Sequence, residues 1–460
     1  MKRTTIVRAL LAGGALIIST GALAQDAEPQ PDASDTTADA AIAQASDLDD
    51  AQAKIELLQA QVEALQESIA QIQANQAKAT PAWKGAPQLE DKDKGWSFKP
   101  RGRLMYDFAT VGAPGDYEHP GLGFSNELRR GRFGVEGTVP GGFGYKLELD
   151  FANAPSEFEF TDAFLNYKTG PFEFTVGQHN NFQSLDELTS SLHSSFIERA
   201  AFTDAFGFER RVGASVQYSS GSLLAQAGAF TDNINDLNSV GDDNNSYSFD
   251  GRLVFAPLMG ANQLHFGASA HYRELNDAAT SVRYRQRPAV HTTDVRFMDT
   301  GSLAGATSET GYGVEAAGIF GPFHVASEAY RQKVARTGFD DPTFFGAYVE
   351  GGYFFTGESR GYKGGKFDRV KVKKGFDQGG WGALGLNLRW DYLDLNNGGI
   401  LGGKQNAYQA SLNWKPTDYV LFGLNYAHLI YKDGIDIDPT AGVDRDYSVD
   451  MIALRSQVDF

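Results

Sequence analysis

Hydrophobic and polar residues alternate with a period of two along most of the chain from residue 96 to the end. In residues 145–150, for example, Tyr and Leu alternate with Lys, Glu and Asp. Each such stretch has about the ten residues that a tilted strand needs to cross a membrane. A soluble sandwich also alternates, but it would not need an aromatic residue at so many strand ends. The pattern therefore predicts an all-β, transmembrane antiparallel barrel that is apolar outside and polar inside.

The spacing of turns supports the same architecture. We predict about sixteen strands, from 96–108 to 449–460, joined alternately by tight turns such as Gly170-Pro171 and by longer loops such as 275–308. Short periplasmic turns, long external loops and an even strand number are typical of membrane barrels. Closure is required because an open edge would leave backbone groups unpaired in lipid. The connection 357–379 is an exception, since it should be a short turn and is not.

The N-terminal segments have a different character. Residues 1–24 combine a positive start, a short apolar stretch and Ala-Leu-Ala before Gln25, which predicts a secretory signal peptide. Residues 25–47 are rich in Ala, Asp and Pro and are expected to be a disordered acidic linker. We predict a coiled coil over 48–78, a second linker over 79–95, and the barrel over 96–460.

The predicted coiled coil rests on a heptad seam. Apolar residues recur at alternating spacings of three and four, at Leu48, Ala51, Ile55, Leu58, Val62, Leu65, Ile69 and Ile72. Such a seam indicates an oligomerising stalk in the periplasm. Because four heptads are near the minimum for this conclusion, a single amphipathic helix lying on the domain is the alternative. The seam does not determine the number of chains.

Composition excludes several classes. The 460 residues carry 41 basic and 58 acidic side chains, a formal charge of −17, and no cysteine. The absence of cysteine excludes disulfides and thiolate metal sites. No apolar run of membrane-spanning length lies outside the N-terminus, and the acidic balance argues against a nucleic-acid partner. No cofactor is predicted, and the absence of a Gly-x-Ser-x-Gly setting argues against a barrel lipase.

Clustered basic residues are the candidate chemistry of the lumen. In an extended chain Arg283, Arg285 and Arg287 would share one side, about 7 Å apart, and could form an anion ladder; a solvated loop end is the alternative. On predicted strands, Arg103, Arg130 and Arg132 should face the lumen, where nearby carboxylates could pair them as wall salt bridges. The anomalous connection adds lysines that could release anions inward. These are Lys363, Lys366, Lys371 and Lys373.

At these residues the chain resembles the phosphate- and polyphosphate-selective porins of Gram-negative outer membranes. The matching segments are LRRGRFGVEG at 128–137, VGQ at 176–178, LTSS at 188–191, ERA at 198–200, RYRQRP at 283–288, FTGESR at 355–360, FDRV at 367–370 and LRSQVDF at 454–460. The resemblance implies a sixteen-strand homotrimer with an arginine ladder, inward-folded loops and lysines near the periplasmic exit. It also implies that Phe460 is read by the barrel-assembly machinery.

The chain departs from that pattern after the VGQ motif. Asn180 stands where the family often has a lysine in the constriction segment. We therefore expect weaker phosphate selectivity than the resemblance alone implies.

We predict a passive outer-membrane porin that prefers phosphate or other small anions and contacts outer-membrane lipid and lipopolysaccharide. Several weak sites would be needed because one tight site would block flux. Two other functions stay open. One is a general or sugar-type diffusion porin, in which the arginines are paired. The other is a structural protein whose coiled coil tethers the envelope, with incidental conductance.

Overall fold

The computed structural model describes residues 51–71, 82–83, 85–152, 158–237, 245–276, 279–437 and 444–460. The predicted signal peptide and acidic linker lie outside these residues. The chain divides into two compact units, residues 1–77 and 78–460. Among the described residues no helix has both the length and the apolar character needed to cross a membrane.

In the first unit, residues 51–71 form one continuous helix. Its apolar seam is solvent-exposed, since 54% of the surface of Ile55, 57% of Leu58 and 61% of Leu65 is accessible. The helix agrees with the heptad spacing, whereas the pairing of helices into a coiled coil stays a prediction.

The described part of the second unit contains sixteen long antiparallel strands. They are β1 (Trp96–Val111), β2 (Gly123–Val139), β3 (Phe143–Asp150), β4 (Glu159–Thr169), β5 (Phe172–Asn180), β6 (Arg210–Ser220), β7 (Leu223–Phe230), β8 (Tyr247–Phe255), β9 (Asn262–Glu274), β10 (Ala306–Phe320), β11 (Phe323–Arg336), β12 (Thr343–Phe354), β13 (Ala383–Asn397), β14 (Ile400–Thr417), β15 (Val420–Lys432) and β16 (Tyr447–Asp459).

These strands close into a barrel. Each strand pairs with the next along the chain, and β16 returns to β1 with Met451 opposite Val111 and Asp459 opposite Arg103. Beyond this pairing, Gly102 and Phe460 exchange two backbone hydrogen bonds of 3.2 and 3.0 Å. The predicted closed barrel of sixteen antiparallel strands is confirmed.

The outer surface of the barrel is apolar because the strand pleat sends alternate side chains outward. In β16, Ile452 and Leu454 are exposed, whereas Met451 and Arg455 are buried toward the inside. Exposed aromatic residues collect near both ends of the strands, which is the arrangement of interfacial girdles. Those at the short-turn end include Trp96, Phe98, Phe143, Phe172, Phe255, Phe323 and Tyr353, and those at the long-loop end include Phe108, Phe124, Tyr247, Tyr272 and Phe345.

Part of the predicted linker is ordered. Within 79–95, strand Pro87–Asp91 pairs with the start of β1, placing Leu89 opposite Phe98. A tight turn joins the two strands, because Gly95 adopts φ +74° and the Asp91 carboxylate accepts the Lys94 N–H at 3.1 Å. This part of the predicted linker therefore forms a short strand that pairs with the first strand of the barrel.

The remaining described elements are short. The strands are Ala82–Trp83, Leu258–Met259, Ser281–Val282, Arg285–Gln286, Met298–Asp299, Leu303–Ala304, Gly361–Lys363 and Lys366–Asp368. The helices are Leu185–Leu188, Ala201–Ala205 and Ile234–Leu237, with a 3₁₀ turn at Phe376–Gln378.

The buried core lies inside the barrel. Phe202, from the connection after β5, stacks against Tyr330 at 5.9 Å between ring centroids and lies near Tyr348 at 6.3 Å. From the connection after β9, Tyr284 meets Phe344 edge-on at 5.4 Å. Since lipid faces the outer surface, inward-folded connections supply the apolar partners of the inner wall. Three such connections, 181–209, 275–305 and 355–382, shape the lumen.

Candidate functional site: the charged lumen

The connection 181–209, called the constriction loop below, is held against the inner wall. The carboxylate of Glu328 on β11 accepts the backbone N–H groups of Leu185 and Asp186 at 2.8 and 2.7 Å. On β13, Asp391 accepts the N–H of Ala201 at 2.9 Å. The first N–H groups of a helix lack partners within the helix, so carboxylates are well placed there. These bonds hold the loop across the lumen.

A second anchor involves Ser195 near the middle of the loop. Its hydroxyl donates to Glu350 on β12 at 2.9 Å and accepts from Arg360 at 2.6 Å. Its carbonyl oxygen accepts hydrogen bonds from Ser411 and Asn413 on β14, at 2.8 and 2.7 Å. Arg360 belongs to the connection 355–382, so the two inward segments are joined here.

The end of the loop is tied to the barrel seam. Arg455 on β16 forms a bidentate ion pair with Asp107, at 2.7 and 2.6 Å, and donates to the carbonyl of Ile197 at 2.8 Å. Arg129 binds both oxygens of Glu198 at 2.8 and 3.1 Å. Although burial alone would raise it, Arg129 lowers the pKa of Glu198 well below its usual range. The loop therefore has fixed contacts along its whole length.

A band of ion pairs lines the wall of β1–β4. Arg103 reaches Glu148 at 3.3 Å and Ser191 of the constriction loop at 3.1 Å. Arg132 binds Asp150 at 2.7 Å and Glu148 at 3.4 Å. Two of the three predicted strand arginines thus face the lumen but are paired, which matches the alternative of wall salt bridges.

The same band contains two cations that the sequence did not single out. Lys146 and Arg210 share the carboxylate of Asp162, at 2.5 and 2.8 Å. Lys146 alternates with apolar neighbours on β3, so its inward direction could have been predicted from the strand period. Arg210 could not, because it lies where the constriction loop joins β6.

Arg130 differs from its neighbours because it forms no ion pair with any described residue. Its buried side chain donates to the sulfur of Met105, at 3.7 Å. A bulge in the pairing opposite Met105 and Tyr106 turns both Arg129 and Arg130 inward. Because of this bulge, strict alternation along the strand did not predict that Arg129 faces inward.

Arg130 borders a cavity of about 210 Å³ that Arg129, Arg199 and Arg287 also line. Glu187 and Glu198 face the same space. Burial raises the pKa of Glu187 from its ordinary value, although Arg199 opposes this effect. The cavity therefore combines a buried unpaired guanidinium with a carboxylate that burial makes easier to protonate.

A larger cavity of about 470 Å³ opens toward the long-loop end. Six arginines line it, namely Arg211, Arg273, Arg283, Arg285, Arg287 and Arg296. The carboxylates in its lining are Asp204, Glu209 and Glu309. We call this space the arginine vestibule.

The three predicted ladder arginines lie on one face of the connection 275–305, with Tyr284 and Gln286 buried between them. Arg283 is half exposed and forms a bidentate pair with Asp299, at 2.7 Å for one of the two bonds. Although partial burial opposes it, Arg283 lowers the pKa of Asp299. The charge of Arg283 is therefore largely balanced.

Arg287 and Arg285 differ in their partners. Arg287 bonds to Asp294 and to the carbonyl of Thr293, both at 3.2 Å. Arg285 is exposed and makes no ion pair with any described residue. Of the three predicted ladder residues, Arg285 alone presents an unpaired charge to the described part of the vestibule.

Arginines from distant elements complete the vestibule. Arg211 and Arg273 meet at the carboxylate of Asp232, at 3.2 and 2.6 Å. Burial and the neighbouring Arg287 lower the pKa of Arg296 to about 10. Sequence reasoning missed these residues because no local cluster marks them.

The connection 355–382, which contains the predicted anomalous turn 357–379, enters the barrel from the short-turn end. Gly361–Lys363 and Lys366–Asp368 pair as a hairpin, and Gly364 and Gly365 adopt φ +59° and +73° at its tip. We call residues 360–369 the periplasmic hairpin. Arg360 pairs with Glu350 at 3.0 Å at one base, and Arg369 with Asp459 at the other.

The predicted lysines of this connection have different surroundings. All four lysines, Lys363, Lys366, Lys371 and Lys373, are exposed, and the ammonium of Lys373 donates to the carbonyl of Gly357. Lys373 is therefore engaged in holding the connection together. Lys366 lies within the hairpin that enters the lumen.

A closed sixteen-strand barrel with an apolar exterior, aromatic girdles, inward loops and a charged lumen defines an outer-membrane porin, a channel rather than an enzyme, in a Gram-negative bacterium. Residues 98–460 match the family described as "Phosphate-selective porin O and P". The chain belongs to this family, and the predicted resemblance is confirmed.

Two relatives and one solved structure show the extent of the similarity. A protein of Caulobacter vibrioides, described as uncharacterized, is 43% identical over 99% of this chain and 96% of its own length. Porin O of Pseudomonas aeruginosa is 27% identical over 75% of this chain and 85% of its own. An anion-selective porin from Comamonas acidovorans covers 79% of this chain and 100% of its own, with a TM-score of 0.50 at 12% identity. That last likeness concerns the fold.

Proposed function

We propose that the protein is an anion-preferring porin that conducts phosphate, polyphosphate or other small anions by passive diffusion. The observation that carries the proposal is the arginine vestibule, whose lining holds six arginines and three carboxylates. Asp232, Asp294 and Asp299, which are outside this lining, pair with five of these arginines and leave Arg285 without an ion pair among the described residues. Positive charge that faces a confined, low-dielectric space raises the local concentration of anions. The description of the family as phosphate-selective agrees with this proposal.

We assign different roles in the passage of anions to the predicted residues. Arg285 at the vestibule and Arg130 deeper inside make no ion pair with any described residue, so their guanidinium groups are available to a passing anion. Arg103, Arg132, Arg283 and Arg287 already bind carboxylates and contribute mainly by keeping those carboxylates neutralised. Several weak sites along a path favour conduction over trapping.

The proposal predicts that Arg285→Ala lowers the preference for chloride over potassium. Removing one unpaired, exposed charge should reduce the permeability ratio by about twofold to fivefold, since such an interaction is worth roughly 0.5–1 kcal/mol. Reversal potentials of single channels in a potassium chloride gradient measure the ratio. Lys432→Ala, which removes an exposed charge at the end of β15, is the matched control.

A wild-type channel in which potassium carries most of the current would contradict the proposal. An unchanged ratio in the variant would instead show that Arg285 is not part of the pathway.

A general diffusion porin is the second candidate, because most lumenal arginines are paired. These ion pairs would leave little net electric field in the lumen. They join Arg132 to Asp150, Arg283 to Asp299 and Arg360 to Glu350. In that case the combined replacement of Arg283 and Arg285 by alanine would not alter anion conductance.

We further propose that the barrel is a homotrimer whose helix 51–71 forms a periplasmic coiled coil with its copies. The exposed heptad seam supports this assembly. Phe460, on the outer surface at the predicted periplasmic end, is the proposed signal for the barrel-assembly machinery. Phe460 is 43% exposed in the folded barrel, so this aromatic residue is accessible there.

The proposed contact with lipopolysaccharide rests on Arg331. This exposed side chain points outward from β11 between Tyr312 and Phe345, and it makes no ion pair with any described residue. An unpaired cation on the lipid-facing surface is costly unless it lies near the interface. A phosphate group of an outer-leaflet lipid would supply the missing partner.

A further inference from the structure

Residues 370–382, which follow the periplasmic hairpin, reach the outer surface of the barrel at the short-turn end. The ring of Phe376 meets Trp414, an outward-facing residue of β14, edge-on at 5.5 Å between ring centroids. The indole N–H of Trp414 donates to the carbonyl of Trp381 at 2.8 Å. We call residues 370–382 the rim segment, which packs against the part of the wall that faces lipid.

The rim segment exposes two large aromatic side chains. Trp381 is 84% exposed, the highest fraction among the described large apolar residues, and Phe376 is 52% exposed. Tryptophan is enriched where lipid meets water, because its ring is apolar and its N–H is polar. The exposed rings therefore place the rim segment at the membrane interface on the predicted periplasmic side.

A groove of about 390 Å³ adjoins the rim segment on the outer surface. It exists because one small residue interrupts a row of aromatic rings. Trp414, Phe422, Ser456 and Tyr106 are successive partners across β14, β15, β16 and β1, and only Ser456 has no ring. The large apolar residues that line the groove are Phe108, Leu412, Trp414, Phe422, Leu424 and Leu454.

The surroundings of the groove determine what can fill it. The groove opens toward the hydrocarbon of the membrane, where a water molecule would find too few hydrogen-bond partners among apolar walls. A flexible hydrocarbon chain gains dispersion contacts with such walls. The rings of Phe376, Trp414 and Phe422 are in contact, at 5.5 Å for each neighbouring pair, and connect the groove to the rim segment. An acyl chain in the groove would thus have its head group at the rim segment.

Lys374 places a positive charge beside Trp381. A Cβ atom at Gly380 would lie 2.6 Å from Cγ of Lys374, so the lysine side chain runs over the residue that precedes Trp381. The carbonyl of Lys374 accepts the N–H of Gly382 at 3.0 Å, which closes the segment into a loop. The side chain of Lys374 is exposed and makes no hydrogen bond or ion pair with any described residue. Its ammonium group is therefore available to a partner outside the chain.

Nearby acidic residues leave this charge in place. The rim segment contains three lysines and one aspartate, Asp377. The carboxylate of Asp377 lies back over Gly375, since a Cβ atom there would be 2.4 Å from its Oδ1 atom. The carboxylate of Asp418, in the turn after β14, accepts the N–H of Val372 at 2.7 Å. The net positive charge of the rim segment favours a partner with a negative head group.

We propose that the groove and the rim segment form a binding site for an anionic phospholipid of the periplasmic leaflet. One acyl chain occupies the groove over Ser456, Lys374 binds the phosphate, and Phe376 and Trp381 lie at the level of the glycerol backbone. The site is outside the channel and does not depend on which ions the channel conducts. A second copy of the barrel would fill the groove but would leave the unpaired lysine without a partner, so the charge favours lipid.

The experiment measures lipid retention by the full-length protein with native mass spectrometry. Phosphatidylglycerol or phosphatidylcholine is added at equal concentration in mild detergent, and the wild type should bind phosphatidylglycerol more tightly. Ser456→Leu should remove the tightly bound lipid of either kind, because the larger side chain fills the groove. Lys374→Gln should weaken phosphatidylglycerol binding by about threefold to fivefold and leave phosphatidylcholine binding unchanged, since only the charge is lost.

Two matched controls separate the site from general effects. Ser327→Leu adds the same side chain to an outward-facing serine of β11, and Lys168→Gln removes an exposed lysine at another short turn. Both should retain lipid as the wild type does. Heat-modified mobility on SDS gels checks that each variant is a closed barrel.

Three results would overturn the assignment. The first is equal retention of the two lipids by the wild type, and the second is unchanged phosphatidylglycerol binding in Ser456→Leu. The third is a loss of binding in the controls as large as in the site variants. If Ser456→Leu keeps its lipid but forms smaller oligomers, the groove is a contact between copies of the chain. None of these results bears on the proposed anion preference, which reversal potentials test.

Discussion

At the scale of single residues, closure of the barrel places a glycine, Gly102, directly against the ring of Phe460. Gly102 on β1 exchanges two backbone hydrogen bonds with Phe460, whose ring lies directly over the glycine. A Cβ atom at Gly102 would lie 2.1 Å from the end of that ring. The glycine therefore makes room for the ring of Phe460 on the outer surface.

We expect Gly102→Ala to displace the Phe460 ring and to destabilise the barrel by about 1–2 kcal/mol, because the ring loses its packing site. The temperature at which the folded barrel unfolds in detergent, followed by its shifted mobility on SDS gels, measures this change. Gly251→Ala is the matched control, since a Cβ there would meet its nearest atom at 3.8 Å. Equal unfolding temperatures for the two variants would show that Phe460 relocates without loss.

At the scale of elements, the constriction loop owes its position to carboxylates on the wall. Glu328 accepts two backbone N–H groups of the loop and the hydroxyl of Tyr348, at 2.7–2.9 Å. A buried N–H group without an acceptor costs about 1–3 kcal/mol. The loop geometry is thus decided by the wall that it crosses.

Glu328→Ala should loosen the constriction loop without opening the barrel, because two buried N–H groups lose their acceptor. The expected result is a noisier single-channel current with a higher mean conductance, while heat-modified mobility on gels stays that of a closed barrel. Ser327→Ala, the outward-facing neighbour on β11, should leave the current unchanged. A quiet current of normal size in Glu328→Ala would mean that the other anchors hold the loop alone.

At the scale of the whole molecule, the two compact units carry different surfaces. The second unit exposes an apolar band to lipid, whereas the first exposes a heptad seam that two or more helices would bury. An isolated helix of this length is marginal in water, so partners would stabilise it. The proposed trimer accounts for the exposed seam.

If the seam joins the copies, Leu58→Lys combined with Leu65→Lys should lower the temperature at which oligomers separate in mild detergent. Charges in the seam would repel one another and lose apolar contact, but the barrels should stay folded. Glu63→Lys, off the seam on the same helix, is the control. Oligomers that separate at the same temperature in all three proteins would favour a single helix with no partner.

The architecture could be predicted from local sequence patterns, because the period-two alternation and the turn residues determine the structure of each strand and its connection to the next. The number of strands follows from the spacing of turns, closure follows from the cost of an open edge in lipid, and the inward direction of Arg132 follows from the strand period. The bulge that turns Arg129 and Arg130 inward together departs from parity and was not foreseen.

The pairing of charges was decided only when the strands closed around the loops. Asp299 neutralises Arg283 across a hairpin, and Asp162 binds Lys146 and Arg210 from different strands, while Lys366 and Arg285 are left free of ion pairs within the described residues. Alternation reports which side of a strand a residue faces. It carries no information about which distant carboxylate comes within 4 Å, and that distance decides where a positive field survives in the lumen.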